Sequence, residues 1–512
     1  MAQPAAIARG PKPPPGVSPP ATRRTRAARD AKMFPLDLGL ALCNLSSASS
    51  LPAVREVLTP RRVVPRRVLI TLAEERRADL VLKTLQVLVE NGVRLDAKDF
   101  TAALSTCSRL RAWQEASALL AAMPAARVQA NIFSFSAAIS ACEKAGRWQE
   151  ALGLFSAMAE AKVEADAISF NATISACEKG GRWRQALALF QAMPEAKMQA
   201  DVYSFSASIS ACEKAGRWQH AWAMFRALSE AQVQANTYSF CATISACAKA
   251  GQWHEALALF QEMFAASVQA DLYSFNAAIA ACEKGGQWQA ALAVFRAMPE
   301  AKLCANNIGF NTAISACEKA GQWQHAVALF QEMSAEKVKA DEISFNASIS
   351  ACEKGGQWRQ AIALFQAMRE SQVNADGTSV NATISACEKG GQWVRAAWLL
   401  SAMAGVKLRA DVYSFSATIS ACEEGGQWKQ AFRVFRTMQE AKLRANDIFF
   451  NASISACERG GQWKQALVLL GGMPGAEVQA DDVSFSAAIS ACKRAEEEQA
   501  PGTDLYTLAS KW

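Results

Sequence analysis

Histidine and tyrosine are scarce in this 512-residue chain, with three His and five Tyr. So few histidines argue against a His-built metal centre or a Ser–His or Cys–His nucleophile system. No paired CxxC clusters of the zinc-site type are present. The paired glycines lack the GxxxxGK[ST] context that cradles phosphate. No run of 18 apolar residues occurs, so no transmembrane helix is expected. Net charge is also thin where it would matter for duplex DNA. Residues 1–61 hold nine Lys or Arg against three Asp or Glu, whereas residues 62–512 hold 45 against 44. A nearly neutral body must rely on more than phosphate attraction to hold a nucleic acid.

What the chain does have is a period. Twelve of its fifteen cysteines, from Cys107 to Cys492, stand 35 residues apart, and eleven of its fourteen tryptophans, from Trp113 to Trp463, keep the same step. A fixed period in this range marks a solenoid, propeller or array of one supersecondary unit. The equivalent cysteines of packed neighbouring helices would lie about 8–10 Å apart, too far for a relaxed disulfide. They are read as small buried apolar groups in a reducing compartment, and the tryptophans likewise as core.

The unit Ala167–Asp201 shows the local logic. Phe170, Ile174 and Cys177 fall on one helical face. Gly180–Gly181 ends that helix. Trp183, Ala186, Leu187, Phe190 and Met193 form a second amphipathic face, which Pro194 is expected to stop. Met198 is a lone apolar residue in the connector, and Asp201 can cap the next helix. Each unit is thus a helix–turn–helix, and only stacking buries both of its faces. The expected fold is all-α: a right-handed superhelical solenoid of 35-residue helix pairs. Residues 62–96 read as a degenerate repeat, 97–481 as eleven complete ones, 482–495 as a partial capping repeat and 496–512 as a tail. Residues 1–61 read as a disordered N-terminal segment. Its Arg-rich, acid-poor first half has the composition of an organellar transit peptide.

These residues resemble the pentatricopeptide repeat family. "SFNATISACEKGGRWRQALALFQAM" is similar to that family's helix pair in its aromatic–Asn start, Cys-x-Lys-x-Gly turn and Ala-Leu-x-Leu-Phe-x-x-Met second helix. The likeness covers residues 97–494. The penultimate residue of each unit is Ala where the family often has Pro. The resemblance implies sequence-selective binding of single-stranded RNA in a chloroplast or mitochondrion, about one base per repeat, in RNA processing, stability, editing or translation. It implies no catalysis and no cofactor. It is a P-type array: only about 18 residues follow the last helix, and they lack the H-x-E and C-x-x-C zinc signature of a deaminase. The implied partners are RNA and recruited RNA-processing proteins, with no membrane and no small-molecule substrate.

In the family, the fifth and last residues of a unit select the base. Carried over residue by residue, these are Thr101 with Asn131, Ser136 with Asp166, Asn171 with Asp201, Ser206 with Asn236, Cys241 with Asp271, Asn276 with Asn306, Asn311 with Asp341, Asn346 with Asp376, Asn381 with Asp411, Ser416 with Asn446, and Asn451 with Asp481. Thr or Ser with Asn implies A, Thr or Ser with Asp implies G, Asn with Asp implies U, and Asn with Asn implies C or U. The implied target is close to 5′-A-G-U-A-x-Y-U-U-U-A-U-3′, with the base at Cys241 open. The residue types agree with such a role, because short donor–acceptor side chains read base edges. Beside them, the second residue of the unit is mostly flat or apolar: Phe133, Ile168, Tyr203, Tyr238, Tyr273, Ile308, Ile343, Tyr413 and Ile448. Such side chains can stack bases at about 1–3 kcal/mol each.

Other readings compete. The terminal Asp or Asn also suits a plain helix cap. Asn171, Asn346, Asn381 and Asn451 match the N-glycosylation sequon, but they recur because the unit recurs. A helix-pair solenoid could instead be a peptide-binding scaffold. A peptide groove should show charge clamps or a large apolar patch rather than a ladder of Asn, Ser and Asp.

Overall fold

The computed structural model describes residues 81, 84, 95–405, 408–441, 443, 447–476 and 478–498. The N-terminal segment 1–61, most of the degenerate repeat 62–96 and the end of the C-terminal tail lie outside them. Contacts divide the chain into two units, 1–199 and 200–512. Each is a stack of helix pairs, and no strand occurs among the described residues. The all-α helix-pair solenoid read from the sequence is the fold of each unit.

The first unit contains the pairs Ala97–Leu110 with Trp113–Ala122, Ile132–Lys144 with Trp148–Glu160, and Ala167–Lys179 with Trp183–Glu195. The second runs from Val202–Lys214 with Trp218–Glu230 through the pairs beginning at Thr237, Leu272, Asn307, Glu342, Gly377, Val412 and Asp447. It ends with the single helix Asp482–Glu498.

Each end of each helix has a local cause. Asp166 is extended, accepts from Ser169 N–H, and completes a capping box with the Ser169 hydroxyl. At the other end of that helix, Gly181 adopts φ 67°. There Arg182 N–H reaches Cys177 C=O at 2.8 Å, the 6→1 bond of a Schellman cap. The second helix ends in the same way without glycine. Lys162 takes φ 56°, and Val163 N–H bonds Met158 C=O at 3.0 Å. The lone apolar residue of the connector is therefore the hydrophobic partner that follows the left-handed residue of this cap.

Two expectations change. Pro194 does not stop its helix, which runs to Glu195 with the proline in its last turn. Its own carbonyl still accepts from Lys197 N–H at 2.9 Å. Pro124, Pro299 and Pro474 do coincide with shorter helices, ending at Ala122, Ala297 and Gly472. Nor are the tryptophans core. They are half-buried, whereas the cysteines from Cys107 to Cys492 are buried. Each Trp opens a second helix, and the rings of Trp148, Trp253, Trp323, Trp358, Trp393 and Trp428 lie against the glycine that ends the first helix of the following repeat. A Cβ at Gly180 would sit 2.3 Å from Trp148 Cδ1, and one at Gly355 would sit 2.3 Å from Trp323 Cδ1.

The core that remains is Phe, Ile, Cys, Ala and Met. Phe205, Ile209, Cys212, Ala221, Phe225 and Leu228 are all at most 3% exposed. Successive repeats are joined by phenylalanine pairs: Phe225–Phe240 at 4.8 Å, Phe260–Phe275 at 4.9 Å and Phe330–Phe345 at 4.8 Å between centroids. Such pairs add about 0.5–1.5 kcal/mol each beyond burial. Burial pushes the thiols up, Cys177 to about 11 and Cys352 to about 12. They are un-ionised, weakly reactive groups at neutral pH.

Candidate nucleic-acid interface

Positions 2, 5, 9 and 13 of a unit lie 3, 4 and 4 residues apart and so share one face of the first helix. In helix Glu342–Lys354 these are Ile343, Asn346, Ser350 and Lys354. This face differs from the buried one that carries Phe345, Ile349 and Cys352.

Position 2 is open to solvent throughout. Phe133, Ile168, Tyr203, Tyr238, Tyr273, Ile308, Ile343, Tyr413 and Ile448 are between 51% and 70% exposed. An apolar ladder of this kind is not packing the repeats together. Tyr238 additionally places its hydroxyl 3.0 Å from Ser210 Oγ.

Position 5 is recessed beside it. Ser136, Ser206, Cys241 and Asn311 are buried, and Thr101, Asn171, Asn276, Asn346, Asn381, Ser416 and Asn451 are half-buried. The structure brings most of the expected pairs together across 30 residues of sequence. Asn311 Nδ2 donates to Asp341 at 3.0 Å, Asn346 to Asp376 at 3.3 Å, Asn381 to Asp411 at 3.1 Å and Asn451 to Asp481 at 3.2 Å. Asn276 Nδ2 donates to Asn306 Oδ1 at 3.3 Å. Ser136 Oγ lies 3.3 Å from Asp166, with a shorter bond of 2.8 Å to Ile132 C=O, while Ser206 Oγ donates to Asn236 at 3.5 Å and Cys241 Sγ to Asp271 at 3.5 Å. Thr101 instead gives its hydroxyl to Ala97 C=O at 2.6 Å, while Asn131 caps through Ser134 N–H. Asn171 belongs to the first unit. Asp201 opens the second, where it caps through Tyr203 N–H and Ser204 N–H. Asn446 lies outside the described residues.

The last residue of a unit is therefore both cap and partner. Asp341 accepts from Ser344 N–H and from Asn311 at once. Burial works to raise the Asp341, Asp376 and Asp411 carboxyls, but hydrogen bonds from the following serine and the paired asparagine outweigh it and hold all three below the ordinary range. Asp481 is lowered first by the Ser484 N–H and then by the Ser484 hydroxyl. At neutral pH each is an anion able only to accept. The cap and base-selection readings of this residue are thus compatible.

Three of the asparagine oxygens accept from the serine of the following repeat. Ser344 Oγ donates to Asn311 Oδ1 at 2.6 Å and Ser414 Oγ to Asn381 Oδ1 at 2.7 Å. Ser484 Oγ does the same for Asn451. The Oδ1 atoms of Asn276 and Asn346 are buried with no protein hydrogen-bond partner; Gly309 stands opposite Asn276, whereas Ser379 follows Asn346.

A second ladder on the same face escaped the sequence reading. Glu318 accepts from Ser350 Oγ at 3.0 Å and pairs with Lys354 at 2.8 Å. Glu143 with Lys179, Glu213 with Lys249, Glu283 with Lys319 and Glu353 with Lys389 repeat the geometry at 2.7–3.0 Å. The recurring Ser-Ala-Cys-Glu-Lys string carried the signal, but its cysteine drew the attention. The ladder is interrupted where Ala248 replaces the glutamate opposite Lys284, and it meets a like charge at one place. Glu388 faces Glu424 where a lysine would stand. Burial first, then the Glu424 charge, raise its carboxyl from 4.5 to about 7 against hydrogen bonds from Ser420 and Ser385.

The second-helix histidines add nothing to this face. His220 and His254 are exposed, and His325 is half-buried beside Trp288 at 5.0 Å. Among the described residues, no three His, Cys, Asp or Glu side chains cluster as metal ligands. None of the described helices is long and apolar enough to cross a membrane.

The repeat, its caps and its polar face define a class of helical-repeat proteins with a side-chain ladder along the first helices. Family models identify it. Those described as "Pentatricopeptide repeat domain" match 83–145 and 399–459, "PPR repeat" 133–163 and 343–373, "Pentacotripeptide-repeat region of PRORP" 162–307 and "PPR repeat family" 305–354. Together they span 83–373 and 399–459, more than half of the chain, which belongs to the pentatricopeptide repeat family. No curated protein sequence matches it. Among solved structures, it is similar to the pentatricopeptide repeat protein PPR10 from maize, at 17% identity and a TM-score of 0.45 over 95% of this chain and 84% of that one. A PPR10 complex with an 18-nt psaJ RNA element matches at 20% identity and 0.43, over 92% and 75%. Yeast Rmd9p in complex with 16-nt target RNA matches at 11% identity and 0.28, over 92% and 97%.

Proposed function

We propose that this chain binds single-stranded RNA, about one base per repeat, in the processing, stability, editing or translation of an organellar transcript. It acts by occupying the RNA and recruiting processing proteins rather than by catalysis. The supporting observation is the exposed apolar residue at position 2 beside a recessed, mutually hydrogen-bonded pair at position 5 and the end of the unit. Exposed rings and branched side chains offer stacking surfaces, and the pair offers a donor–acceptor pattern to a base edge.

The pattern differs with residue type. In an Asn–Asp unit, one amide hydrogen is held by the carboxylate, leaving the other hydrogen and the carboxylate lone pairs. That matches uracil, whose N3–H lies between carbonyls. In a Ser–Asp unit the serine proton is spent within the protein, on Ile132 C=O or the carboxylate, leaving acceptors for the N1–H and N2–H of guanine. Ser–Asn leaves an amide, both donor and acceptor, for adenine. The preferred target is 5′-A-G-U-A-x-Y-U-U-U-A-U-3′.

The test is binding of the full chain to this RNA and to a scrambled one at about 0.15 M salt. Clear preference for the first is expected, and equal weak affinity would favour a peptide scaffold. Asn346→Ser with Asp376→Asn should move one base preference from U to A, and an unchanged preference would remove the pairing rule. Residues 1–61 fused to a reporter should direct it into a chloroplast or mitochondrion, and a cytosolic reporter would overturn that assignment.

A further inference from the structure

Within unit 200–512, helix Trp393–Gly405 departs from its siblings on the second-helix side, away from the residues discussed above. Val394 and Trp398 stand one and five residues after the tryptophan that opens the helix, one turn apart on one face. At the first place the ten other complete repeats carry Gln, Arg, His or Lys. At the second, seven carry Ala and the others Gly, Arg or Val. The repeat is its own control: stacking does not require a large apolar residue at either place. Yet Val394 is 59% and Trp398 57% exposed, which is unfavourable in water unless something covers them.

The surroundings say what. Trp398 helps wall a cleft of about 420 Å³ with Phe365, Val373, Leu408 and Arg369. A second cleft of about 640 Å³ on the far side of the same helix shares Leu408 and adds Leu400, Val434, Arg409 and Arg433. The three arginines are the only charged residues lining either cleft. None is ion-paired among the described residues. The comparable cleft near Phe295, about 710 Å³, is charge-balanced by Arg296 and Lys302 against Glu332 and Glu336. The apolar outlier therefore coincides with a local excess of positive charge.

We propose that the paired clefts around Trp398 hold an acidic, amphipathic segment of another protein. Its apolar side chains lie against Trp398 and Leu408, and its carboxylates meet Arg369, Arg409 and Arg433. An Arg and a Trp around apolar clefts are the side chains that most often anchor protein interfaces. Carboxylates on exposed arginines make the contact salt-sensitive.

The experiment is selection of a random displayed-peptide library on the full chain, with counter-selection on Trp398→Ala. Alanine is the residue found there in seven siblings, so the variant folds; its melting temperature checks this. Enriched peptides should combine Asp or Glu with large apolar residues at helical spacing. Their affinity should fall on the order of tenfold in Trp398→Ala and in Arg409→Glu with Arg433→Glu, and fall with salt. RNA affinity should be unchanged in Trp398→Ala, which separates this site from the RNA-binding reading. No enrichment over Trp398→Ala, enrichment of cationic or neutral peptides, or indifference to the arginine reversals would overturn the proposal. So would a loss of RNA affinity without peptide binding, which would assign the surface to RNA.

Discussion

Replacing Glu424 with lysine should repair the like-charge break in the Glu–Lys ladder and make the protein more stable at neutral pH but not in acid. Glu388 is held near 7 rather than 4.5 by burial first and by Glu424 second. A carboxyl raised in the fold favours its neutral form. Its stabilising effect is complete below about 4.5 and is lost as pH rises through about 7. At about 1.4 kcal/mol per pH unit, the whole displacement corresponds to a ceiling of about 3 kcal/mol. Lysine removes only the Glu424 repulsion and adds an attraction. The sibling lysines are 40–47% exposed in their pairs, where a pair contributes about 0–1 kcal/mol. A gain of about 1 kcal/mol above pH 7.5 is expected, shrinking to nothing near pH 4.5. An array of repeats need not unfold in one step. The direct assay is therefore amide hydrogen exchange in helices Gly377–Lys389 and Val412–Glu424 at several pH values, supported by melting temperature. Equal protection in both proteins at pH 8 would refute the reasoning. So would the same gain at pH 4.5 and 8, which would mean that Glu388 is not the source.

Gly309→Ser should stabilise by about 0.5–1 kcal/mol, because serine favours the helix over glycine and can close a capping box on Asn306 as Ser344 does on Asp341. A melting temperature at or below that of the parent would show that the added Cβ, placed 2.9 Å from Asn276 Oδ1, crowds the site. Tyr273→Ala should leave stability nearly unchanged, since the ring is 54% exposed. RNA binding in the same variant should weaken by about 1–3 kcal/mol. Undiminished RNA binding would remove the stacking role of position 2.

Most of the hairpin was legible because its signals are local. Asp166 caps a residue three positions on, and Gly181 ends a helix within one turn. Burial of Ile174 and Cys177 follows from a 3.6-residue stripe. The candidate site was legible only as a set of positions. Nothing in the string shows that Asn311 and Asp341 touch, or that a single aspartate can cap and accept together. The tryptophans misled for a related reason. A large aromatic at a fixed place reads as core, and only the stacked neighbour reveals a half-buried ring laid over a glycine.

The sequence by itself determined the repeating unit, its two helices, their caps and turns and the face each helix buries, because these depend on hydrogen bonds and periodicities spanning three to seven residues. The tertiary structure decided the pairings at separations of 30, 32 and 36 residues: Asn346 with Asp376, Ser350 with Glu318 and Lys354 with Glu318. It also decided the place where Glu388 meets Glu424. Those contacts exist only once one repeat is stacked on the next, and the stacking offset, rather than any local preference, sets which side chains meet.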